Sequence, residues 1–291
     1  MEDITLKKAL DDYQSVYMAY RNFAERTREE YLNDLEDLIE FLEKNGINMV
    51  GKLGLAQIER YLAELERRGF ASATRKRKTI AIRSFLKFLY QDQYISSNIA
   101  KHIIPPFVDN KTPMYLSEVE YSRLRTACTG NKRDAAIVEL FLQTGIRLSE
   151  LTNLKLDDIE LQDEEGSVRI RGSRRKGERI LPLNSKASQA LNAYLGQRNN
   201  TDSSFLFLNR FGKPIGDRGV QKMLSKYLEK SGLERANVHT LRHTFGAHYA
   251  VNRAGGETLQ KVMGYKDRRS TSMYFSAAQE IRKKELEENA L

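Results

Sequence analysis

Three of the chain's five prolines fall within thirteen residues, at Pro105, Pro106 and Pro113. Each proline removes a backbone donor, fixes its own φ and pushes the preceding residue towards extended geometry. A Pro-Pro pair favours a stiff, extended polyproline segment. No helix or central strand runs through such a stretch. The chain of 291 residues is therefore expected to divide into residues 1–104, a linker at 105–113, and residues 114–291. Each part is long enough to bury a core of its own.

Residues 1–104 read as all helix. Leu6–Tyr20 carries apolar residues at helical spacing, and Thr27–Glu43 does so through Tyr31, Leu35, Leu38, Ile39 and Leu42. Asn45-Gly46 is a helix stop. A third helix is expected from Leu55 to Arg68, ending at Gly69. A fourth is expected to start with Ser72 as its cap and to run to Asp92, burying Ile80, Ile82, Phe85, Leu86, Phe88 and Leu89.

The second part changes period. Ser117 and Glu120 stand at capping-box spacing, and helices are expected at 117–128, at 132–144 and from Arg147. Three stretches then alternate with period two: 158–161, 167–171 and 179–183. The last two flank a basic hairpin, Gly172-Ser173-Arg174-Arg175-Lys176-Gly177-Glu178. From Ser185 the pattern is again mostly helical, ending in a polar helix from Gln279 to Leu291. The expected class is mainly α, with an all-α first domain and a small antiparallel sheet in an α+β second domain.

Charge and cysteine usage narrow the partners. The net charge is +9, an excess that favours polyanions. Residues 1–43 hold 5 Lys/Arg against 12 Asp/Glu, whereas residues 44–104 hold 12 against 4. One side of the first domain is therefore suited to a phosphate backbone, above all Arg75-Lys76-Arg77-Lys78. The single cysteine, Cys128, lies in an apolar helix and reads as core. With no apolar run near membrane length and no signal-like start, the expectation is a cytoplasmic protein away from membranes.

The remaining motifs carry chemistry. Thr144-Gly145-Ile146-Arg147-Leu148-Ser149-Glu150-Leu151, His239-Thr240-Leu241-Arg242 and the late Tyr274 supply two guanidinium groups, an imidazole and a phenol. Fixed arginines neutralise a phosphate without a metal, because a guanidinium offers two parallel donors and stays charged. On a helix, His239 and Arg242 share a face, while His243 points elsewhere. A tyrosine nucleophile needs a lowered pKa or a nearby base, and Lys266, Arg268 and Arg269 would favour the phenolate. The acidic groups Asp157-Asp158 and Asp163-Glu164-Glu165 read as solvated loop charge, and no ligand set for a metal is found.

Taken with Leu259-Gln260-Lys261-Val262-Met263-Gly264-Tyr265 and Ser270-Thr271-Ser272-Met273-Tyr274, these motifs resemble the tyrosine recombinase, or phage-integrase, family, and its compact Xer-type members in their order and separations. The resemblance is direct over 114–280. Over residues 1–104 it rests on a helical, basic domain of the size of the family's SAM-like core-binding domain. It implies a site-specific recombinase that needs neither metal nor ATP. Tyr274 would attack the scissile phosphate of double-stranded DNA to leave a 3′-phosphotyrosyl link. Arg147 and Arg242 would clamp the phosphate, His239 would hydrogen-bond it or move protons, and Glu150 would support the clamp. A hairpin lysine would protonate the departing 5′-oxygen. Four protomers would exchange strands through a Holliday junction, the tail helix of each docking on a neighbour, with accessory proteins in some systems. Chromosome dimer resolution, mobile-element integration and cointegrate resolution all fit. No extra N-terminal module of the arm-binding kind is seen, which favours a simple core-site enzyme.

Two positions depart from the family pattern. The usual hairpin lysine position falls at Arg174, while the hairpin's lysine is Lys176; an arginine gives up its proton too reluctantly for a general acid, so Lys176 is the expected one. Arg174 and Arg175 are then DNA contacts. Gly264 is usually followed by histidine or tryptophan, which donates to the phosphate. Here the donor would be the phenol of Tyr265. These departures keep open a DNA-binding protein with impaired chemistry. A relaxing enzyme like type IB topoisomerases shares the same chemistry.

Overall fold

Thr5 opens the first helix by accepting a hydrogen bond from the Lys8 amide, the N-cap bond that satisfies an otherwise orphaned donor. The computed structural model describes residues 3–108, 113–162, 165–172, 177–198, 202–252, 255–265, 267 and 269–288. The chain divides into two compact units, 1–110 and 111–291.

In the first unit α1 (Leu6–Asp12) passes into a π-helical stretch, Tyr13–Met18, where the sequence pattern predicts one α-helix to Tyr20. Tyr13 and Tyr17 stack on each other and meet Phe88 edge-on or tilted. α2 (Glu25–Lys44), α3 (Leu55–Arg67) and α4 (Ser72–Gln91) complete the unit. Their apolar faces close a core that includes Leu35, Leu38, Ile58, Tyr61, Phe85 and Phe88. Two expectations for α4 need correction. Ser72 is the first helical residue, behind Ala71, and forms no cap. Ile80 is 42% exposed, whereas Ile82, Phe85, Leu86, Phe88 and Leu89 are buried. Residues two apart face opposite sides of a helix with 3.6 residues per turn, and Ile82 shares its side with the aromatics three and six positions on.

The second unit starts with α5 (Glu118–Cys128), where the Ser117–Glu120 capping box forms as expected. α6 (Lys132–Thr144) ends at Gly145 with φ 59°. The short α7 (Leu148–Thr152) leads to an antiparallel sheet of β1 (Ile159–Gln162), β2 (Glu165–Ile170) and β3 (Arg179–Leu183), in that order. Val168 on β2 stands opposite Ile159 on one side and Leu181 on the other, which puts the sheet's apolar face against the core. α8 (Ser185–Leu195), α9 (Asp217–Lys230), α10 (Val238–Asn252), α11 (Gly256–Met263) and α12 (Arg269–Glu288) follow. The chain is mainly α-helical with one three-stranded antiparallel sheet among the described residues.

Cys128 is a core residue, and burial pushes its thiol up to about 12. Asp158 is not a solvated loop charge: it is buried, accepts from the Lys155 amide and pairs with Arg171. Among the described residues no helix is long and apolar enough to cross a membrane. The expected tail helix is the continuation of α12, which runs unbroken from Arg269 to Glu288. It rests on its own chain: Ile281 is buried with Ala247 and Ala277, and Tyr115 and Val251 pack against them.

Candidate active site

Two glycines with left-handed backbone set the arginines in place. Gly145 ends α6 with φ 59°, and Gly264 ends α11 with φ 62°, conformations that side chains rarely adopt. The Gly145 carbonyl accepts from Arg242 Nη1, and the Gly264 carbonyl accepts from Arg147 Nη2 at 2.7 Å. Arg242 Nη2 also donates to the Met263 carbonyl at 2.6 Å. Each guanidinium is thus tied to the carbonyl end of a helix, where the macrodipole favours a cation. A Cβ on Gly145 would lie 2.5 Å from the Phe245 ring, and one on Gly264 would lie 3.0 Å from guanidinium nitrogens of Arg147 and Arg179, so neither position has room for one.

Glu150 completes the first clamp. Its carboxylate accepts from Arg147 Nη1 at 2.8 Å and from the Arg147 amide at 2.9 Å. It also takes a bidentate pair from Arg179, at 3.0 and 2.7 Å. Burial alone would raise the Glu150 pKa, but the hydrogen bonds from Arg179 and from the Arg147 backbone outweigh it and bring it to about 2. Arg179, read from the sequence only as a strand residue, is the missed member of this group. Period-two patterning places it on β3 but gives no hint of its partner on α7.

Tyr274 lies on α12 with 0% of its surface exposed. Its close approach to α10 depends on Gly246, where a Cβ would meet the Tyr274 ring at 2.5 Å. Among the described residues its hydroxyl has two polar partners, His243 Nδ1 and Tyr265 Oη, both at 2.9 Å. Burial, with the hydrogen bond to Tyr265, raises the phenol's pKa well above its ordinary value. Lys266 and Arg268, expected to favour the phenolate, lie outside the described residues. Tyr274 is thus an enclosed phenol whose burial favours the neutral form.

Tyr265 joins the parts. Its ring lies 5.6 Å from the Arg147 guanidinium and 5.1 Å from that of Arg242, within cation–π range of both. Arg242 is 5% exposed, and desolvation lowers its pKa. His239 is exposed in the first turn of α10, its amide donating to Asn237 Oδ1 at 2.8 Å. His243, expected to point elsewhere, is the histidine that touches Tyr274. The arrangement brings Arg147, Arg242, Tyr265 and Tyr274 together with Glu150 behind them. Arg174, Arg175 and Lys176 lie outside the described residues.

The basic run on α4 is less uniform than its spelling. Lys78 is turned inward, 6% exposed, and pairs with Asp37 at 2.7 Å and Asp34 at 3.2 Å. Arg77 pairs with Asp34 and Arg75 with Glu66. Lys76 is exposed and has no ion pair among the described residues. Arg83, Lys87 and Lys101, which the sequence reading passed over, likewise have none and line one concavity with the exposed Ile80.

Two guanidinium groups flanking a phenol that is hydrogen-bonded to a second, enclosed phenol, on a mainly helical fold, suit the class of proteins that transfer phosphoryl groups to tyrosine, and comparison with known proteins identifies the family. Residues 114–280 match the phage integrase family, and residues 10–93 match its N-terminal SAM-like domain. The chain belongs to the phage integrase family: it is a site-specific tyrosine recombinase, an enzyme of DNA strand exchange. It is 34% identical to the tyrosine recombinase XerC of Thermodesulfovibrio yellowstonii, over 84% of this chain and 83% of that one. With XerC of Pelotomaculum thermopropionicum it shares 32% identity over 94% and 95% of the two chains. In fold it is similar to the XerH recombinase bound to a palindromic difH substrate, with a TM-score of 0.77 at 19% identity, covering 97% of this chain and 83% of that one. A lambda integrase tetramer bound to a Holliday junction gives 0.74 at 16% identity, over 91% and 78%.

Proposed function

We propose that this recombinase cuts and rejoins double-stranded DNA through Tyr274, with Arg147 and Arg242 holding the scissile phosphate. The observation that carries the reading is the convergence of both guanidinium groups on the Tyr265 ring, one hydrogen bond from the Tyr274 hydroxyl. A phosphate seated between two fixed guanidinium groups gains charge-assisted, partly bidentate hydrogen bonds. These bonds strengthen as negative charge builds on its oxygens in the transition state. Tyr265 supplies a phenolic donor to the same phosphate, and His239, exposed at the site's edge, binds it or moves protons. Glu150, with Arg179, orients Arg147. Lys176 protonates the departing 5′-oxygen. The attack leaves a 3′-phosphotyrosyl bond, which conserves the energy for religation and requires no cofactor.

The assembly follows the same reading. Four protomers on two DNA sites exchange strands in pairs through a Holliday junction; the structurally similar lambda integrase has been solved as a tetramer bound to a Holliday junction. Residues 105–113 link a DNA-binding first domain to the catalytic one. Tail exchange between neighbours requires Ile281 to leave its seat beside Ala247. On the first domain, the face of α4 that carries Lys76, Ile80, Arg83 and Lys87, at positions i, i+4, i+7 and i+11, meets the duplex. Among the described residues its cations have no acidic partner to neutralise them, so they are available to phosphates, whereas Lys78 is committed to Asp34 and Asp37.

The test starts from a random duplex library, from which the bound sequence is recovered. That duplex, nicked next to the cleavage position to trap the intermediate, is run on a denaturing gel. The expected result is a covalent adduct mapping to Tyr274 that Tyr274→Phe abolishes while leaving DNA binding intact. Persistence of the adduct in Tyr274→Phe, or its mapping to Tyr265, overturns the assignment.

A further inference from the structure

We propose that His243 is the proton acceptor for Tyr274, a catalytic residue distinct from the His239 of the recognised motif. The inference rests on the reading of Tyr274 as nucleophile. A phenol that attacks phosphorus must lose its proton, and something in contact with its oxygen must take it. Among the described residues only two groups touch the Tyr274 hydroxyl: the phenol of Tyr265, itself a weak acid, and the imidazole nitrogen Nδ1 of His243 at 2.9 Å. A neutral imidazole with hydrogen on Nε2 presents a lone pair at Nδ1. Burial, together with His239 and Arg242 nearby, disfavours the imidazolium and keeps that lone pair free. The His243 and Tyr274 rings are held 5.7 Å apart by the packing of α10 on α12 that Gly246 permits. His243 directly follows Arg242, so acceptor and phosphate clamp share one rigid helix.

The step balances without an outside reagent. The Tyr274 Oη–H bond breaks and its proton goes to His243 Nδ1. The freed electron pair forms the Oη–P bond. The P–O5′ bond breaks with its pair on O5′, which takes a proton from the general acid. On religation His243 returns its proton to Oη as the phosphotyrosyl bond opens. With the Tyr274 proton directed to His243, the hydrogen bond between the two phenols is left to Tyr265 Oη as donor.

His243→Asn tests the role, because an asparagine carbonyl can take the place of Nδ1 as a hydrogen-bond acceptor but takes no proton. The duplex recovered from the random library is used, nicked as above, in single-turnover cleavage. The expected result is a rate lower by about 10²–10⁴-fold with unchanged affinity for the duplex. Placing difluorotyrosine, a more acidic phenol, at position 274 is then expected to restore much of the loss in His243→Asn and to change the wild-type protein little. Cleavage by His243→Asn at the wild-type rate overturns the proposal, as does a loss that the acidic phenol leaves untouched. In the wild-type protein, ¹⁵N NMR of the His243 ring is expected to show an unprotonated Nδ1 at neutral pH; an Nδ1–H tautomer overturns the proposal without recourse to any variant. Failure of the wild-type protein to form any adduct through Tyr274 strikes the broader reading instead.

Discussion

Arg147, Arg242 and Tyr274 stand out in the sequence as candidate site residues because their residue types suit a phosphate and their motifs are specific. The contacts of His243 and Arg179 do not, because their partners lie far along the chain. Arg179 meets Glu150 across 29 residues, and His243 meets Tyr274 across 31. Glu150 is a half-buried carboxylate shared by two guanidinium groups, so removing it strands both. Glu150→Ala is expected to destabilise the protein by about 3–5 kcal/mol, read as a lowered denaturation midpoint, and to slow cleavage further by freeing Arg147. The titrations of the site also set a pH dependence. His243 sits at about 4 in the folded chain and near 6.5 when unfolded. Between those values the unfolded chain binds the additional proton, so stability falls as the pH drops from about 6.5 towards 4. Glu150, held at about 2, adds a second loss below its ordinary range near 4.3. Denaturant midpoints measured at pH 7 and pH 5 are expected to differ less in His243→Asn than in the wild-type protein.

Helices were legible from periodicity, and their boundaries and faces less so. The pattern over α4 marks a helix but cannot say whether Ile80 or Ile82 turns inward, since both are apolar. The aromatic layer of Tyr13, Tyr17, Phe85 and Phe88 decides it. The run Arg75–Lys78 reads as one basic patch, yet its members differ in depth. Lys78→Ala removes the cation that buried Asp34 and half-buried Asp37 share, leaving Asp34 to Arg77 and Asp37 to Arg68, and a stability loss of about 1–3 kcal/mol is expected. Lys76→Ala is expected to leave stability within about 0.5 kcal/mol while weakening DNA binding and reducing the salt slope by about 1. Equal effects of the two substitutions on DNA binding at matched stability would contradict the assignment of α4's outer face. On α10, Gly246→Ala places a methyl where the Tyr274 ring lies, 2.5 Å away. Tyr274 must shift, and the near-ultraviolet tyrosine signal and the cleavage rate are both expected to change.

The two units each carry a core, one built on α1–α4 and the other on the helices around the sheet. In the second, Tyr274, the proposed nucleophile, and the tail belong to one helix. Ile281 is buried at one part of α12 and Tyr274 at another, two helical turns apart. Under the proposed tail exchange, a neighbour that takes up the tail would act on the same helix that carries the phenol. Ile281→Ala is expected to cost about 2–4 kcal/mol and to raise amide hydrogen exchange along α12, with α5 and α6 unaffected.

Residue types, spacing and periodicity were enough to establish the helical character of the chain, its late sheet and the family to which it belongs, because these depend on local propensity and on motifs contiguous in sequence. Packing alone decided that Tyr274 is enclosed, that His243 and Tyr265 share its hydroxyl, and that Lys78 is an internal cation. Burial and hydrogen-bond partnership are set by which distant segments meet, and pairs separated by 9, 31 and 41 residues leave no periodic trace in the chain.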